Sequence, residues 1–513
     1  MSLPILSLLI FFPVLGAFIL LVTGKEHVKK IKVMALVISL CEFVLTLPLW
    51  FAFDKTTHHM QFVERHSWIS LFNIEYYLGL DGISILFILL STLITILCVL
   101  VSWNSIQTKI KEFFICLLLL EGAMIGVFCA LDFFLFYIFW EAMLIPMFLL
   151  IGVWGGPNRI YAATKFFLYT LAGSLLMLVG IITLYMQGGN TFDILALAEQ
   201  SYPLKLQLML FWGFFAAFAV KVPMWPVHTW LPDAHTEAPA AGSVVLAAIL
   251  IKMGAYGFLR FSMPILPEAT AAMMMPMIIL SLIAIVYGGL ICLAQTDLKR
   301  LIAYSSVSHM GFVTLGLFSL NTQSVEGGIL QMINHGVITG ALFLAIGMLY
   351  ERTHTRLISD YGGLATKMPV LASFFLLFTL ASIGLPGTNG FIGEFLILLG
   401  SFMTRPWAAL IAASGLIIGA WYMLSLYQRI FFNPDNPRWE GIKRLERREI
   451  ITFLPMVILI FWIGLFPNHM LSYMHVSVAH LLEQVTGNPA GIASGVQLGL
   501  DAAAARPVPP LSH

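Results

Sequence analysis

Apolar residues run through this chain in blocks of about twenty rather than alternating with polar ones, and charged residues gather in the short stretches between blocks. A helix needs about 20 apolar residues to cross the hydrocarbon of a bilayer. Fourteen blocks qualify: 3–23, 31–53, 82–103, 113–131, 133–154, 163–187, 208–227, 240–264, 273–294, 298–319, 326–350, 370–402, 407–431 and 449–467. Ten-residue strands of alternating polarity, the mark of a membrane barrel, are absent from the pattern. The pattern predicts an all-α polytopic membrane protein of about 14 transmembrane helices.

Composition supports this reading. The chain is 59% hydrophobic and 10% charged, whereas soluble domains carry about 25% charged residues. The first block lacks a basic flank and a small-residue cleavage site, so it reads as a retained helix rather than a signal peptide. Most of the 27 Lys and Arg fall in loops 24–30, 104–112, 155–165, 295–300, 351–369 and 429–448. The positive-inside rule puts that set in the cytoplasm and both termini on the periplasmic side of a bacterial inner membrane. Cys41, Cys98, Cys116, Cys129 and Cys292 contain no C-x-x-C pair, so neither a disulfide framework nor an iron–sulfur site is indicated. A net charge of +1 implies no nucleic-acid partner.

Two blocks carry breakers at mid-span. In Phe218-Ala-Val-Lys-Val-Pro-Met-Trp-Pro-Val-His228 two prolines follow a lysine, and Ser382-Ile-Gly-Leu-Pro-Gly-Thr-Asn-Gly-Phe-Ile-Gly-Glu394 holds a Pro-Gly and further glycines. An isolated proline in a membrane helix is usually an ordinary kink. Paired breaks five helices apart instead predict an inverted-repeat protein whose site lies at mid-membrane, with its seventh and twelfth helices broken. Leu131-Asp132 opens the helix of Glu141 and Thr296-Asp297 opens that of His309. Each ionisable group then lies roughly 14–18 Å into the membrane at 1.5 Å per residue. The expected division is 1–112, three N-terminal helices; 113–264, the first inverted five-helix repeat; 273–431, the second; and 432–513, the last helix and tail. Within that tail, 468–485 predicts an amphipathic surface helix and 486–513, rich in Ala, Gly and Pro, a segment without fixed structure.

The ionisable positions inside the blocks are Glu42, Glu121, Glu141, Lys221, Lys252, His309, His335 and Glu394, with His228 and His235 near a helix mouth. A charge at the centre of a membrane helix costs roughly 2.5–3.5 kcal/mol on insertion scales. Alternating carboxylate, amine and imidazole groups can pass a proton through a low-dielectric region. Glu141 and Lys221 are expected to form a switch, with the lysine holding its proton when the carboxylate is near and releasing it when the carboxylate withdraws. His228 follows Lys221 by two turns and is expected to link it to Lys252, and Glu121 to supply a lateral step. Glu42, outside both repeats, reads as a structural group or a contact to a neighbouring subunit, and His235 as a helix-end cap. His309 and His335 on facing helices invite a haem, but neither helix brings a second histidine.

The motifs at these residues resemble a known family. Phe139-Trp-Glu-Ala-Met-Leu-Ile-Pro146, Ala219-Val-Lys-Val-Pro-Met-Trp-Pro-Val-His-Thr-Trp-Leu-Pro-Asp-Ala-His-Thr-Glu-Ala-Pro239, Lys252-Met-Gly-Ala-Tyr-Gly, Tyr304-Ser-Ser-Val-Ser-His-Met-Gly-Phe and Gly393-Glu-Phe-Leu are similar to the antiporter-like subunits of respiratory complex I and of the Mrp cation/proton antiporters. The similarity runs over about residues 3–470. It implies that Glu141 and Lys221 couple in an input half-channel, that Lys252 is the central lysine, that His228, His309 and His335 relay, and that Glu394 is the output residue, where chains L and N of complex I typically have lysine. It also implies a proton-translocating role in NADH:quinone oxidoreductase, with an Mrp-type antiporter as the alternative. The implied partners are other membrane subunits of complex I, especially chains L and N, and lipids. Flavin, iron–sulfur clusters and quinone would sit in other subunits, with no cofactor in this chain.

Overall fold

The computed structural model describes residues 4–487. Among these, thirteen helices are long and apolar enough to cross a membrane. The fourteenth crossing is made by two shorter apolar helices, Pro369–Ser382 and Asn389–Thr404. Numbered by crossing, the spans that matter most are the fifth (Phe133–Trp154), the seventh (Leu204–Lys221, continued by Trp230–Glu237), the eighth (Ala240–Ile265), the tenth (Leu298–Phe318), the eleventh (Thr322–Thr353) and the twelfth, which is the broken pair.

The eighth and eleventh spans are buried around their whole circumference, whereas the first, second, sixth and thirteenth leave broad apolar faces outward. A helix that is apolar all round belongs inside a bundle or in lipid. The two interior spans are therefore the axis around which the rest is arranged.

Two matching brackets mark the repeats. Asp132 caps the fifth span by accepting from the amides of Phe134 and Leu135, and Asp297 caps the tenth by accepting from that of Arg300. Each cap also pairs with an extended strip some sixty residues on, Asp132 with Asp193 and Asp297 with Leu357. The amide of Phe133 donates to Phe192 and that of Ile194 to Leu131, just as Leu298 donates to Arg356 and Ile358 to Thr296. The same local geometry thus recurs at corresponding points of the two repeats.

A β-hairpin had no counterpart in the hydrophobic pattern. Strands β1 (Gln61–Ile69) and β2 (Ile74–Leu80) pair antiparallel, turning through Asn73 at a φ of 51°. Glu64 of β1 accepts from the amides of Leu6 at 2.7 Å and Ser7 at 3.1 Å, satisfying donors at the start of the first span. Arg65 reaches both Glu75 at 2.5 Å and Asp193 at 2.9 Å. The hairpin therefore ties the first span to the first repeat.

Asn468–Thr486 forms the expected amphipathic helix; of the tail segment, residues 488–513 lie outside the described residues. This helix packs along the eleventh span. Its Ser477 hydroxyl accepts from the amide of Gly82 at 3.0 Å, its Tyr473 ring stacks on Trp50 at 4.2 Å, and His475 lies 2.5 Å from Glu326. That last contact holds the His475 imidazole above its ordinary pKa. A raised folded-state pKa stabilises docking below the unfolded pKa, and the gain is lost as pH rises through the folded value. Amide exchange over 470–480 should accordingly quicken on moving from neutral to mildly alkaline pH more than solvent chemistry alone explains. His475→Gln should abolish that excess.

The end of the eighth span is pinned by Arg260, whose guanidinium lies 2.5 Å from Asp81 with both side chains nearly buried. Arg260→Met leaves a buried carboxylate without its cation. The expected cost is about 3 kcal/mol, read as a fall in Tm of the detergent-solubilised protein.

Candidate functional site: a buried line of lysine, histidines and carboxylate

The eighth span is not a regular helix. Wide π-type turns at Leu246–Leu250 and Phe258–Ser262 flank Lys252. Such turns interrupt the regular ladder of backbone hydrogen bonds and often mark functional positions. Lys252, fully buried, donates to the carbonyl of Ala247, and its Nζ lies 2.7 Å from Nδ1 of His335 on the eleventh span.

From His335 the line continues. Its ring centroid is 5.7 Å from that of His309 on the tenth span. His309 Nδ1 is 2.9 Å from Glu394 Oε1 on the second half of the twelfth span, and its Nε2 is 3.4 Å from the Ser382 hydroxyl at the end of the first half. Gln331, one turn before His335, donates to the same Glu394 oxygen at 3.0 Å. Glu394 Oε2 has no partner. A cavity of about 10 Å³ lined by His309, Gln331, His335, Thr339 and Ser382 adjoins the line, room for about one water.

Backbone breaks make these approaches possible. In the twelfth span Gly384 and Gly387 adopt φ of 75° and 91°, a region that disfavours side chains, on either side of Leu385-Pro386. A Cβ on Gly393 would collide with the side chain of Gln331, so glycine there lets Gln331 come up to Glu394. On the other side, a Cβ on Gly254 would meet the backbone of Phe218 and Val222, so glycine there lets the seventh and eighth spans touch.

The first half of the molecule is looser. Lys221 ends the first half of the seventh span, buried, its Nζ 5.1 Å from the Trp140 ring and 5.9 Å from that of Phe166, with no hydrogen-bond partner. Glu141 Oε1, on the fifth span, is likewise buried and unpartnered. The two stand near each other without forming an ion pair. His228 lies edge-on to Tyr287 and Tyr304, at 5.6 and 6.3 Å, and Nδ1 has no partner. The second histidine of that motif, His235, is fully buried, stacked at 4.6 Å and 3° on Phe343, with neither ring nitrogen bonded. It is thus not acting as a side-chain cap.

Glu121 and Glu42 face each other from the fourth and second spans, and all four oxygens are buried without a partner. Of the two readings of Glu42, a structural group or a contact to a neighbouring subunit, the first finds no hydrogen bond within the chain to support it. Sequence reasoning also missed Gln331 and Lys299. The first was discoverable from its i, i+4 spacing to His335 on a helix face. The second was hidden among the basic loop residues, but its side chain is buried and donates to the Ala238 carbonyl at 2.6 Å.

Lysine, imidazole and carboxyl set in line, with one gap between the His335 and His309 rings beside a cavity sized for a water, can hold and hand on protons. Among the described residues no group of three His, Cys, Asp or Glu is placed to hold a metal ion.

Residues 130–419 match the family model described as NADH:quinone oxidoreductase/Mrp antiporter, TM. NADH-quinone oxidoreductase subunit M of Rhodobacter capsulatus is 49% identical over 497 residues, covering 93% of this chain and 96% of that protein. A chain of respiratory complex I from Thermus thermophilus superposes with a TM-score of 0.86 at 33% identity, over 94% of this chain and 99% of that one. A chain of the Mrp complex from Dietzia sp. superposes with a TM-score of 0.82 at 19% identity, over 96% and 100%, which speaks for a shared fold alone. On the family match over more than half its length, the chain belongs to the NADH:quinone oxidoreductase/Mrp antiporter transmembrane family.

Proposed function

We propose that this chain is the chain M-type subunit of an NADH:quinone oxidoreductase and moves protons across the membrane arm of that complex. The observation that carries the reading is the contact series Lys252–His335–His309–Glu394, which joins the eighth, eleventh, tenth and twelfth spans at membrane depth. Residues 113–264 act as the input half-channel and 273–431 as the output half-channel. Glu141 and Lys221 form the switch on the input side, His228 and Glu121 assist there, and Glu394 delivers the proton outward.

The basic loops support an orientation with both termini on the periplasmic side of a bacterial inner membrane. Neighbouring antiporter-like subunits of the L and N type flank the chain, lipids cover its outward apolar faces, and flavin, iron–sulfur clusters and quinone are held by other subunits. Quinone reduction elsewhere supplies the driving force. The Mrp-type alternative draws on a superposition at 19% identity, against 49% identity to a subunit M.

In inverted vesicles containing the assembled complex, NADH-driven proton uptake should fall by about a hundredfold in Glu394→Gln and Lys252→Ala, the scale of losing a positioned proton-transfer group. Uptake at the parental rate in both variants sinks the reading. Glu141→Gln tests the switch separately, since full pumping there removes Glu141 from the path while leaving the output line intact. Sodium-dependent uptake without NADH would favour the antiporter.

A further inference from the structure

The line ending at Lys252 has a second approach that the Glu141–Lys221 route does not use. A cavity of about 160 Å³ opens among the residues that begin the eighth span and end the eleventh, on the face carrying the basic loops. Lys299, Glu351, Glu237 and Arg356 line it. Arg356 is held by Glu237 at 3.5 Å and Asp297 at 3.2 Å. Glu351 Oε1 is buried without a partner. Lys299 is 5% exposed and forms the cavity's inner wall, where it donates to Ala238.

His235 sits between the two lysines: Lys299 bonds the Ala238 carbonyl three residues on from it, and the His235 carbonyl accepts from Ser243, one turn before the Ala247 carbonyl that Lys252 bonds. A buried structural histidine bonds at least one ring nitrogen in nearly every case. His235 bonds neither, yet its plane is fixed by the parallel stack on Phe343. A ring clamped by its face with both nitrogens free at its edges is suited to taking a proton at one nitrogen and releasing another from the opposite one.

We propose that Lys299 and His235 form a direct proton inlet from the cytoplasmic cavity to Lys252, separate from the route through Glu141 and Lys221; this rests on reading the Lys252–Glu394 line as the proton path. An ammonium proton of Lys299 passes through water to one nitrogen of His235. The other nitrogen gives its proton to Lys252 once Lys252 has passed its own to His335. The ring leaves the Phe343 stack transiently as it turns over to restore the His235 tautomer, and Lys299 regains a proton from cavity water. The count closes at one proton in and one proton on. Glu351, whose Oε1 is without a partner at the cavity wall, is placed to draw cations toward its mouth.

The test uses the assembled complex in vesicles. His235→Phe keeps the stack on Phe343 and removes both nitrogens, while His235→Gln keeps an amide that can hydrogen-bond but not relay. Each is expected to lower NADH-driven proton uptake to the share that the Glu141–Lys221 route still carries, and in combination with Glu141→Gln to cut it by about a hundredfold. Lys299→Cys is expected to do the same, and attachment of an aminoethyl thiol reagent from the cytoplasmic side should restore uptake, whereas a neutral methyl reagent should not. The parental complex, treated alike, controls for native cysteines.

Rescue by the neutral adduct as complete as by the amine, or parental uptake in His235→Gln, overturns the inlet. Should the His235 variants not assemble, the amine-selective rescue at Lys299 decides the matter alone. Glu394→Gln run alongside separates the two failures. Lost uptake there with parental uptake in the His235 and Lys299 variants overturns only the inlet, whereas retained uptake in Glu394→Gln overturns the reading on which it rests.

Discussion

A charge at membrane depth must find partners inside the protein, because lipid offers none. Lys252 shows what that demand requires. Its helix is widened by π-type turns on both sides, its ammonium is turned onto the Ala247 carbonyl, and His335 is brought within 2.7 Å by a span buried on every face. Insertion scales set the uncompensated cost of such a charge at roughly 2.5–3.5 kcal/mol, and a carbonyl and an imidazole together are of the right order to offset it. The two interior spans occupy the centre because this pair has to be shielded completely. The outer spans, with apolar outward faces, supply the shield.

The same demand is met only in part on both sides. On the second side Glu394 Oε1 accepts from Gln331 and faces His309, while Glu394 Oε2, Gln331 Oε1 and His335 Nε2 have no partner. On the first side Lys221, Glu141, Glu121 and Glu42 all retain unpartnered atoms in buried positions. An unpaired buried polar group costs about 1–3 kcal/mol, so a small change in proton occupancy or helix position shifts which groups pair. The repeats share a frame but differ in contacts: Glu394 on the second side is bonded by Gln331 and faces His309, whereas Lys221 on the first side has no hydrogen-bond partner.

Much of this was legible in the sequence, for physical reasons that also explain what was not. Hydropathy finds the spans because bilayer thickness fixes their length, and the prolines and glycines of 218–228 and 382–394 announce the broken helices. The intramembrane ionisable residues stand out because charge is costly within a membrane span. The hairpin at 61–80 escaped because its first strand, with Glu64, Arg65 and His66, reads as a polar loop, and its pairing is set by contacts to the first span rather than by alternation. Lys299 escaped because a lysine one turn into a span looks like a loop charge until burial is known. His235 was assigned to a helix end because spacing cannot reveal that a ring is stacked on Phe343 with its nitrogens free. The proximity of Glu42 to Glu121 depends on the rotation of two helices about their axes, which hydropathy leaves open.

The break in the twelfth span is held by the same helix that carries Gln331 and His335. Asn334 of the eleventh span donates to the carbonyl of Asn389 at 2.8 Å, where the second half-helix begins. Gln331, one turn earlier, donates to Glu394, and His335, the next residue, faces Lys252. Positions 331, 334 and 335 lie on one helical face. A shift of the second half-helix against that face changes the Asn334 contact, the Gln331 contact and the His309–Glu394 pair together, because all three meet the same half-helix. An unbroken twelfth helix would have its position fixed along its whole length by packing. A half-helix hinged at Gly384 and Gly387 can move while the remainder stays put, so the break turns Glu394 from a fixed acceptor into one whose distance from His309 can be controlled.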